Sequence, residues 1–435
     1  MTDLNFSEFT ESSFEHWMQL VQKELGESAI NTLDWEVEEG VVVGPYQSST
    51  EKNYSLNYSP TQEQYQLISH SDPKQWNRLA LDSLMGGTNA LGVDCSKLSP
   101  EMLPTILAGI EVKYISIHFL YMMDAAAWSR AFKQHCDASS IDCSQLTGSF
   151  EMTNVSTSTE EMKDWQLHSR AHFARFRTIT IDAAHIHEQG GSIIHELSWA
   201  LTAGHHALLK CIESGASIDE ASACMQFNFA MGSSYFPQIA KLRAFRWMWK
   251  RVIEAYNPEH ACSVYTFIHA STSRYLQTSK DKHNNLLRAT TQAMSAFVGG
   301  ANSVSVVPYN SWQEQADESA LRWARNIQQL LLEESYFGQY TTVADGAYYI
   351  EELTDQLVSA TWKQFQTLDA IAGQESLQHA SAELAQAMEA FAARQRTLIQ
   401  EGKRVIVGVN RYVNKTDSAV VDEHAQTLSA PFEKA

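Results

Sequence analysis

Phe227-Asn-Phe-Ala-Met231, Ile239-Ala-Lys-Leu-Arg-Ala-Phe-Arg-Trp-Met-Trp249, Tyr265-Thr-Phe-Ile-His269, Asn284-Asn-Leu-Leu-Arg-Ala-Thr-Thr291 and Ser303-Val-Ser-Val-Val307 follow one another along the chain. The first, third and fifth are short runs rich in aromatic and β-branched residues, as buried strands are; the second and fourth are helical in character. Upstream the same alternation continues through Ala90-Leu-Gly-Val93, Tyr114-Ile-Ser-Ile-His-Phe119, Leu146-Thr-Gly-Ser-Phe150 and Thr178-Ile-Thr-Ile-Asp182. Seven strand-like runs between about residues 73 and 350, with an eighth expected near Tyr348-Tyr-Ile350, predict an α/β fold, a (β/α)8 TIM barrel, for which about 250 residues is typical. No Gly-x-Gly-x-x-Gly follows a strand and no Walker loop occurs, so nucleotide-binding sheets have no support.

Outside the alternating region the pattern changes. Phe14, Trp17, Leu20, Val21 and Leu25 recur at helical spacing, and Leu33-Asp-Trp35 and Gly40-Val-Val-Val-Gly-Pro-Tyr46 read as an extended arm. Beyond Gly346 the chain reads as helical through Trp362 and Phe365 and again from Glu375 to Ile399; Val405-Ile-Val-Gly-Val-Asn-Arg-Tyr412 reads as a last strand. The expected organisation is a helix and arm over residues 1-48, a barrel over 49-350, a helical segment with a last strand over 351-413, and a polar tail over 414-435.

Composition narrows the function classes. A chain of 435 residues, 44% hydrophobic, can bury a large core. Acidic residues (51) outnumber basic ones (32), for a formal charge of -19, and no Lys/Arg cluster offers phosphate contacts. Nucleic acid and anionic membrane are therefore poor partners. The first thirty residues hold several acids and no apolar run, and no later run is long enough to span a bilayer, so the cytoplasm is the expected location. The six cysteines, Cys95, Cys136, Cys143, Cys211, Cys224 and Cys262, form no Cys-x-x-Cys pair and read as small buried hydrophobes. His185, His187, His195 and Glu188, with His205 and His206, lack the spacing of a zinc-binding helix, so no metal site is expected. Phe245, Trp247 and Trp249 read as an aromatic cluster packing a helix on the barrel.

The helical and strand motifs above, with His269-Ala-Ser-Thr-Ser273 and Gly299-Gly-Ala-Asn-Ser-Val-Ser-Val-Val-Pro-Tyr309, closely resemble the substrate barrel of the adenosylcobalamin-dependent methylmalonyl-CoA mutases. The resemblance covers about residues 10 to 413. It implies a small, non-catalytic subunit whose N-terminal arm wraps a neighbour. A large partner chain would carry adenosylcobalamin and interconvert methylmalonyl-CoA and succinyl-CoA; without that partner a homodimer is one open alternative. The family holds its cofactor with an Asp-x-His-x-x-Gly motif, which none of the 435 residues supplies, so this chain is expected to bind no cofactor itself.

The resemblance also names positions that have lost their chemistry. His185 falls on the histidine that donates to the substrate thioester carbonyl, but Ala184 stands where the family has Tyr. Read from its own surroundings, His185 is a histidine satisfied by local hydrogen bonds. Leu67 lies near the family's radical-handling Tyr, Glu151 replaces a neutral Gln, Cys224 and Gln226 replace an Arg and a Ser that meet coenzyme A and substrate, and Ser271 replaces a Gln. By contrast Lys241-Leu-Arg-Ala244, Asn284-Asn-Leu-Leu-Arg288, Ala324-Arg-Asn326 with Gln328, and Tyr348-Tyr349 with Glu351 are retained. The expected molecule is thus a preserved scaffold with a dismantled site, closed or plugged at the barrel mouth. The alternative is a free-standing barrel component of a split mutase that binds acyl-CoA.

Overall fold

A computed structural model describes residues 13–26, 32–38, 40–46, 54, 62–151, 159–311, 317–339, 342–415 and 427–433. Helix α1 (Phe14–Leu25) precedes an antiparallel hairpin of β1 (Trp35–Glu38) and β2 (Val41–Val43). The barrel follows in the order β3 (Glu63–Ile68), α2 (Pro73–Met85), β4 (Ala90–Asp94), α3 (Leu103–Ile106), β5 (Ser116–Leu120), α4 (Ala125–Ala138), β6 (Thr147–Phe150) and α5 (Thr159–His172). It continues with β7 (Phe176–Arg177), β8 (Ile179–Asp182), α6 (Ala184–Glu188), α7 (Ile193–Glu213), α8 (Ile218–Ala223), β9 (Met225–Met231) and α9 (Tyr235–Glu254). The last units are β10 (Phe267–Thr272), α10 (Asn284–Val298), β11 (Ser303–Ser305) and α11 (Glu318–Gln329).

All neighbouring strands pair in parallel, in the order β7-β6-β5-β4-β3-β11-β10-β9-β8. β7 and β8 are one strand interrupted at Thr178, whose amide donates to the Cys224 carbonyl at 2.9 Å. That interrupted strand closes the sheet on itself, giving eight strand positions among the described residues. The TIM-barrel expectation holds, but its eighth strand is elsewhere. Glu63–Ile68 is the first barrel strand, bonded to β4 and β11, while Tyr348-Tyr-Ile350 opens helix α12 (Tyr348–Gln374). The physical reason is that Glu63, Tyr65 and Leu67 face a polar barrel axis, so the strand has no apolar run. Ile350, Leu353, Leu357 and Val358 repeat with a helical period and are buried.

Helix α12 packs across α7 and α9, and α13 (Leu377–Gln400) packs on α12; α14 (Ala430–Glu433) ends the described chain. Val405–Tyr412 is not a strand. It is a series of turns with one bridge between Val407 and Arg411, and Gly408 takes φ +85. Asn410 is the cause: its side-chain amide donates to the carbonyls of Ile399 and Arg404, and its oxygen accepts from Ile406 N, occupying groups a strand would pair.

Two aromatic-rich cores fill the space between sheet and helices. Phe227, Phe229, Phe245 and Trp249 pack with the Phe227 ring 4.6 Å from Phe245 and 4.7 Å from Trp249, which confirms the α9 cluster as packing. On the opposite side, Phe119, Phe132, Phe150, Phe173 and Phe176 form the second. Four cysteines are buried as expected, but Cys224 is half-buried and Cys262 is exposed.

The retained helical residues tie the layers together. Lys241 reaches Glu196, Arg243 pairs with Asp345 and Glu351, and Arg325 pairs with Asp82. Gln328 Nε2 donates to the Tyr65 carbonyl at 3.1 Å, and Asn285 Nδ2 donates to Thr278 and Tyr309 carbonyls. The hairpin folds back on its own chain: Val41 and Val43 join the main core, and Gln356 Nε2 donates to the Val42 carbonyl at 2.7 Å. Helix α1 is different. None of its residues is buried, although Phe14, Trp17 and Tyr46 stack on one another with centroids 5.1–6.0 Å apart.

Candidate functional site

Strand alternation sends every second side chain toward the barrel axis, and here that axis is polar. In the lower half, His118 Nδ1 bonds Ser149 Oγ at 2.8 Å and His118 Nε2 bonds Glu63 Oε2 at 3.1 Å; Ser116 donates to the other Glu63 oxygen at 2.7 Å. Burial alone would push the Glu63 carboxyl up, but the His118 imidazole and these hydrogen bonds hold it down at about 2. The Tyr65 ring lies across the axis between His118 and His269, edge-on to both at 5.1 and 4.7 Å. It fits only because residue 92 is glycine: a Cβ there would sit 2.0 Å from the Tyr65 hydroxyl. His269 is fixed in turn, its two ring nitrogens bonded to Ser303 at 3.0 Å and Ser305 at 3.1 Å. Burial and the nearby His118 push its imidazole down to about 3, so it is neutral.

Above this plug the described residues leave a cavity of about 1310 Å³ at the C-terminal ends of the strands, the face where barrel enzymes carry their chemistry. Among the described residues the throat is plugged, at Tyr65, and the space above it is open. Long polar and small side chains explain that space, since Ser69, Ser271 and Ser305 on the wall leave volume that bulkier residues would take.

The cavity gathers Leu67, Glu151, Ala184, His185 and Ser271, five of the seven positions singled out in the sequence. Cys224 and Gln226 are not among them. Cys224 precedes β9 at the opposite end of the barrel, its thiol donating to the Ala221 carbonyl at 3.1 Å. Gln226 is buried one inward position below Asn228, to whose side-chain oxygen it donates at 3.3 Å. His185 sits on α6 with Nδ1 bonded to the Asp182 carbonyl and its ring edge-on to Trp199 at 6.1 Å. Ala184 begins the same helix.

Sequence reading missed the groups that dominate the floor. Asp182 ends β8 and pairs with Asn228 on β9, and Asn228 Nδ2 donates to Glu151 Oε1 at 2.9 Å. Burial, reinforced by Asp182, pushes the Glu151 carboxyl up to about 8; burial likewise raises Asp182 against the pull of His185. Asp94 is well satisfied, accepting from Ser69 at 2.6 Å and from Ser96. Glu188 accepts the backbone amides of Arg274 and Tyr275 at 3.0 and 2.8 Å, and burial raises it to about 7. Inward parity on the strands was the available signal, but it needs the register that only pairing supplies.

The other histidines do not converge. His187 bonds Ser273 at 2.9 Å, His195 closes the cap of α7, and His205 bridges Asp369 and Tyr256, each at 2.7 Å. Among the described residues no group of three His, Cys, Asp or Glu is arranged to hold a metal ion, and no helix is long and apolar enough to cross a membrane.

The family model for methylmalonyl-CoA mutase matches residues 103–430. The methylmalonyl-CoA mutase small subunit of Porphyromonas gingivalis is 28% identical over 95% of this chain and 72% of its own length. The probable small subunit of Mycobacterium tuberculosis is 31% identical over 79% of this chain and 58% of its own. The methylmalonyl-CoA mutase of Escherichia coli is 32% identical over 55% of this chain, which spans only 33% of that relative.

Proposed function

The chain belongs to the methylmalonyl-CoA mutase family, and from that premise we propose that it is a small, catalytically inactive subunit, partnered in the cytoplasm with a large chain that interconverts methylmalonyl-CoA and succinyl-CoA. The observation that carries the reading is the split between scaffold and site. The ion pairs and amide contacts of Lys241, Arg243, Arg325 and Gln328 are intact, while the cavity presents Leu67, Glu151, Ala184 and Ser271 where chemistry would be done. The small-subunit names of the P. gingivalis and M. tuberculosis relatives support the same division of labour.

Adenosylcobalamin is assigned to the large chain because the residues here do not suit it. The floor histidine His269 has both nitrogens bonded to serines, no Asp-x-His-x-x-Gly occurs in the sequence, and Asp94 and Asp182 offer a phosphate-bearing cofactor carboxyls where it would need cations. In this reading the chain's residues perform no step of the rearrangement. They supply a rigid barrel, and α1 supplies the exposed apolar surface for the partner.

The open cavity favours a second reading, a barrel component of a split mutase that binds acyl-CoA. Coexpression with a large mutase chain, followed by size exclusion and turnover of the purified pair, separates the two. A stable one-to-one complex, active in the pair and inactive in the lone chain, supports the subunit reading; micromolar acyl-CoA binding by the lone chain favours the second.

A further inference from the structure

Thr427 lines the cavity, and the residues after it are fastened to one loop, the stretch between β10 and α10. Leu428 N donates to the Tyr275 carbonyl at 2.8 Å, and Ser429 Oγ donates to the Gln277 carbonyl at 3.0 Å. Glu433 is only 2% exposed, and its carboxylate accepts the Ser279 amide at 3.1 Å to each oxygen and the Lys280 amide at 3.3 Å. The Ser279 hydroxyl is a further donor to the same group. Successive backbone amides and a hydroxyl converging on one buried carboxylate make a nest built for an anion.

The charge around the nest has the matching sign. Arg288 donates to Thr278 Oγ1 at 2.9 Å, to Asn285 Oδ1 at 2.7 Å and to the Val407 carbonyl at 2.8 Å, all neutral oxygens, and its guanidinium feels the Glu433 charge. Asp281, an acid in the same loop, accepts from Asn284 Nδ2 at 2.7 Å. The gripped loop also walls the cavity. Arg274 at its start lines it, and Gln277 Nε2 donates to the Pro308 carbonyl at 2.9 Å while Gln277 Oε1 accepts from Ser311 Oγ at 2.8 Å. Pro308 and Ser311 line the cavity too, so the hold on this loop passes to the one after β11. Residues 427–433 join neither aromatic core, which leaves the polar contacts to keep the segment in place.

We propose that the Ser279–Lys280 nest is an oxyanion-binding site that the chain fills with its own Glu433. Its occupancy, by this carboxylate or by a free carboxylate or phosphate in its place, sets the order of the loops that wall the mouth. The site stands apart from the subunit role, and its failure leaves that reading intact.

Amide hydrogen exchange of the purified chain over residues 274–283 and 305–311 tests it, with Glu433→Ala and Glu433→Gln as variants. Both changes lie outside the aromatic cores, and thermal unfolding certifies the fold of each. Exchange should quicken by about 10-fold in both stretches, as loss of a charge-assisted hydrogen bond does. The second stretch makes no bond to Glu433, so its response separates ordering of the mouth from the mere loss of the Ser279 and Lys280 contacts. Millimolar acetate or inorganic phosphate should then restore protection to Glu433→Ala, where chloride at matched ionic strength does not, and adding Ser279→Ala should weaken that rescue. Rescue by acetate alone assigns the nest to carboxylates, and rescue by phosphate extends it to phosphate-bearing ligands. Faster exchange confined to Ser279 and Lys280, no rescue by either oxyanion, or equal rescue by chloride would each overturn the proposal.

Discussion

Lys241 Nζ lies 2.8 Å from Glu196 Oε2, and neither side chain has any exposure to solvent. Both also grip the backbone of β9, Glu196 accepting the Ala230 amide at 2.8 Å and Lys241 donating to the Ala230 carbonyl, so one ion pair locks α7 and α9 to a barrel strand. Removing one partner leaves a buried charge uncompensated. Lys241→Met or Glu196→Gln should therefore lower stability by about 3–5 kcal/mol in urea denaturation, and the double variant should lose less than the two losses added.

The Glu151 carboxyl predicts a pH slope. Its value is raised from the usual 4.5 to about 8 in the folded chain, so the folded state binds the proton more tightly than the unfolded one. Stability from this group is complete below about pH 4.5 and is lost as pH rises through 8, on the order of 5 kcal/mol across the window. Glu188, raised to about 7, acts in the same direction. Chemical denaturation at several pH values should show Glu151→Gln with a flatter fall from pH 5 to 8 and a gain over the parent at pH 8. Parallel curves would refute this.

Gly92 and Tyr65 form a steric couple. Ala at 92 would place its Cβ 2.0 Å from the tyrosine hydroxyl, and a ring held between His118 and His269 has little room to retreat. Gly92→Ala should cost about 1–3 kcal/mol, and adding Tyr65→Ala should recover part of that loss instead of adding its own in full. The double-mutant cycle measured by thermal unfolding reads the coupling.

Helix α1 buries none of its residues, yet Phe14 is 43% and Leu20 47% exposed, an apolar face beside the Trp17–Tyr46 stack. A face serving a partner contributes little to the lone chain. Phe14→Ala with Leu20→Ala should leave the unfolding free energy of the isolated chain within about 1 kcal/mol of the parent, while weakening co-elution with the large subunit by about 10-fold or more. Equal co-elution would place the contact elsewhere.

The barrel was legible because its aliphatic strands and aromatic helices carry the period of their element: Phe227, Phe229 and Phe245, Trp249 read correctly from spacing alone. Glu63–Ile68 escaped because a strand with a polar inward face looks like a loop, and Tyr348 misled because two tyrosines and an isoleucine suit a strand until Leu353 and Leu357 are counted. Of the site, Glu151 and His185 were visible as residues, but Asp182 and Asn228 gained meaning only when pairing set which neighbours share the floor. The placement of Cys224 is the same lesson. One strand-length separates it from the mouth, and sequence gives the strand without saying at which end the cavity opens.

The state of the mouth decides what the lone chain can do with acyl-CoA. The described residues leave room, about 1310 Å³, so the exclusion expected from them is electrostatic. Asp94 and Asp182 face a ligand whose phosphates and carboxylate are anionic, Glu151 supplies no cation, and the plug at Tyr65, His118 and His269 fills the axis below. Loss of charge-assisted contacts worth about 1.5–3 kcal/mol each amounts to several decades of affinity. Calorimetry of the chain with methylmalonyl-CoA or succinyl-CoA should accordingly give no binding tighter than about millimolar. His185 is engaged by the Asp182 carbonyl through Nδ1, so His185→Ala in a reconstituted pair should leave turnover unchanged. A large fall in turnover would mean that this imidazole handles substrate through its other nitrogen, and the chain would then have to be counted as a working half of the enzyme.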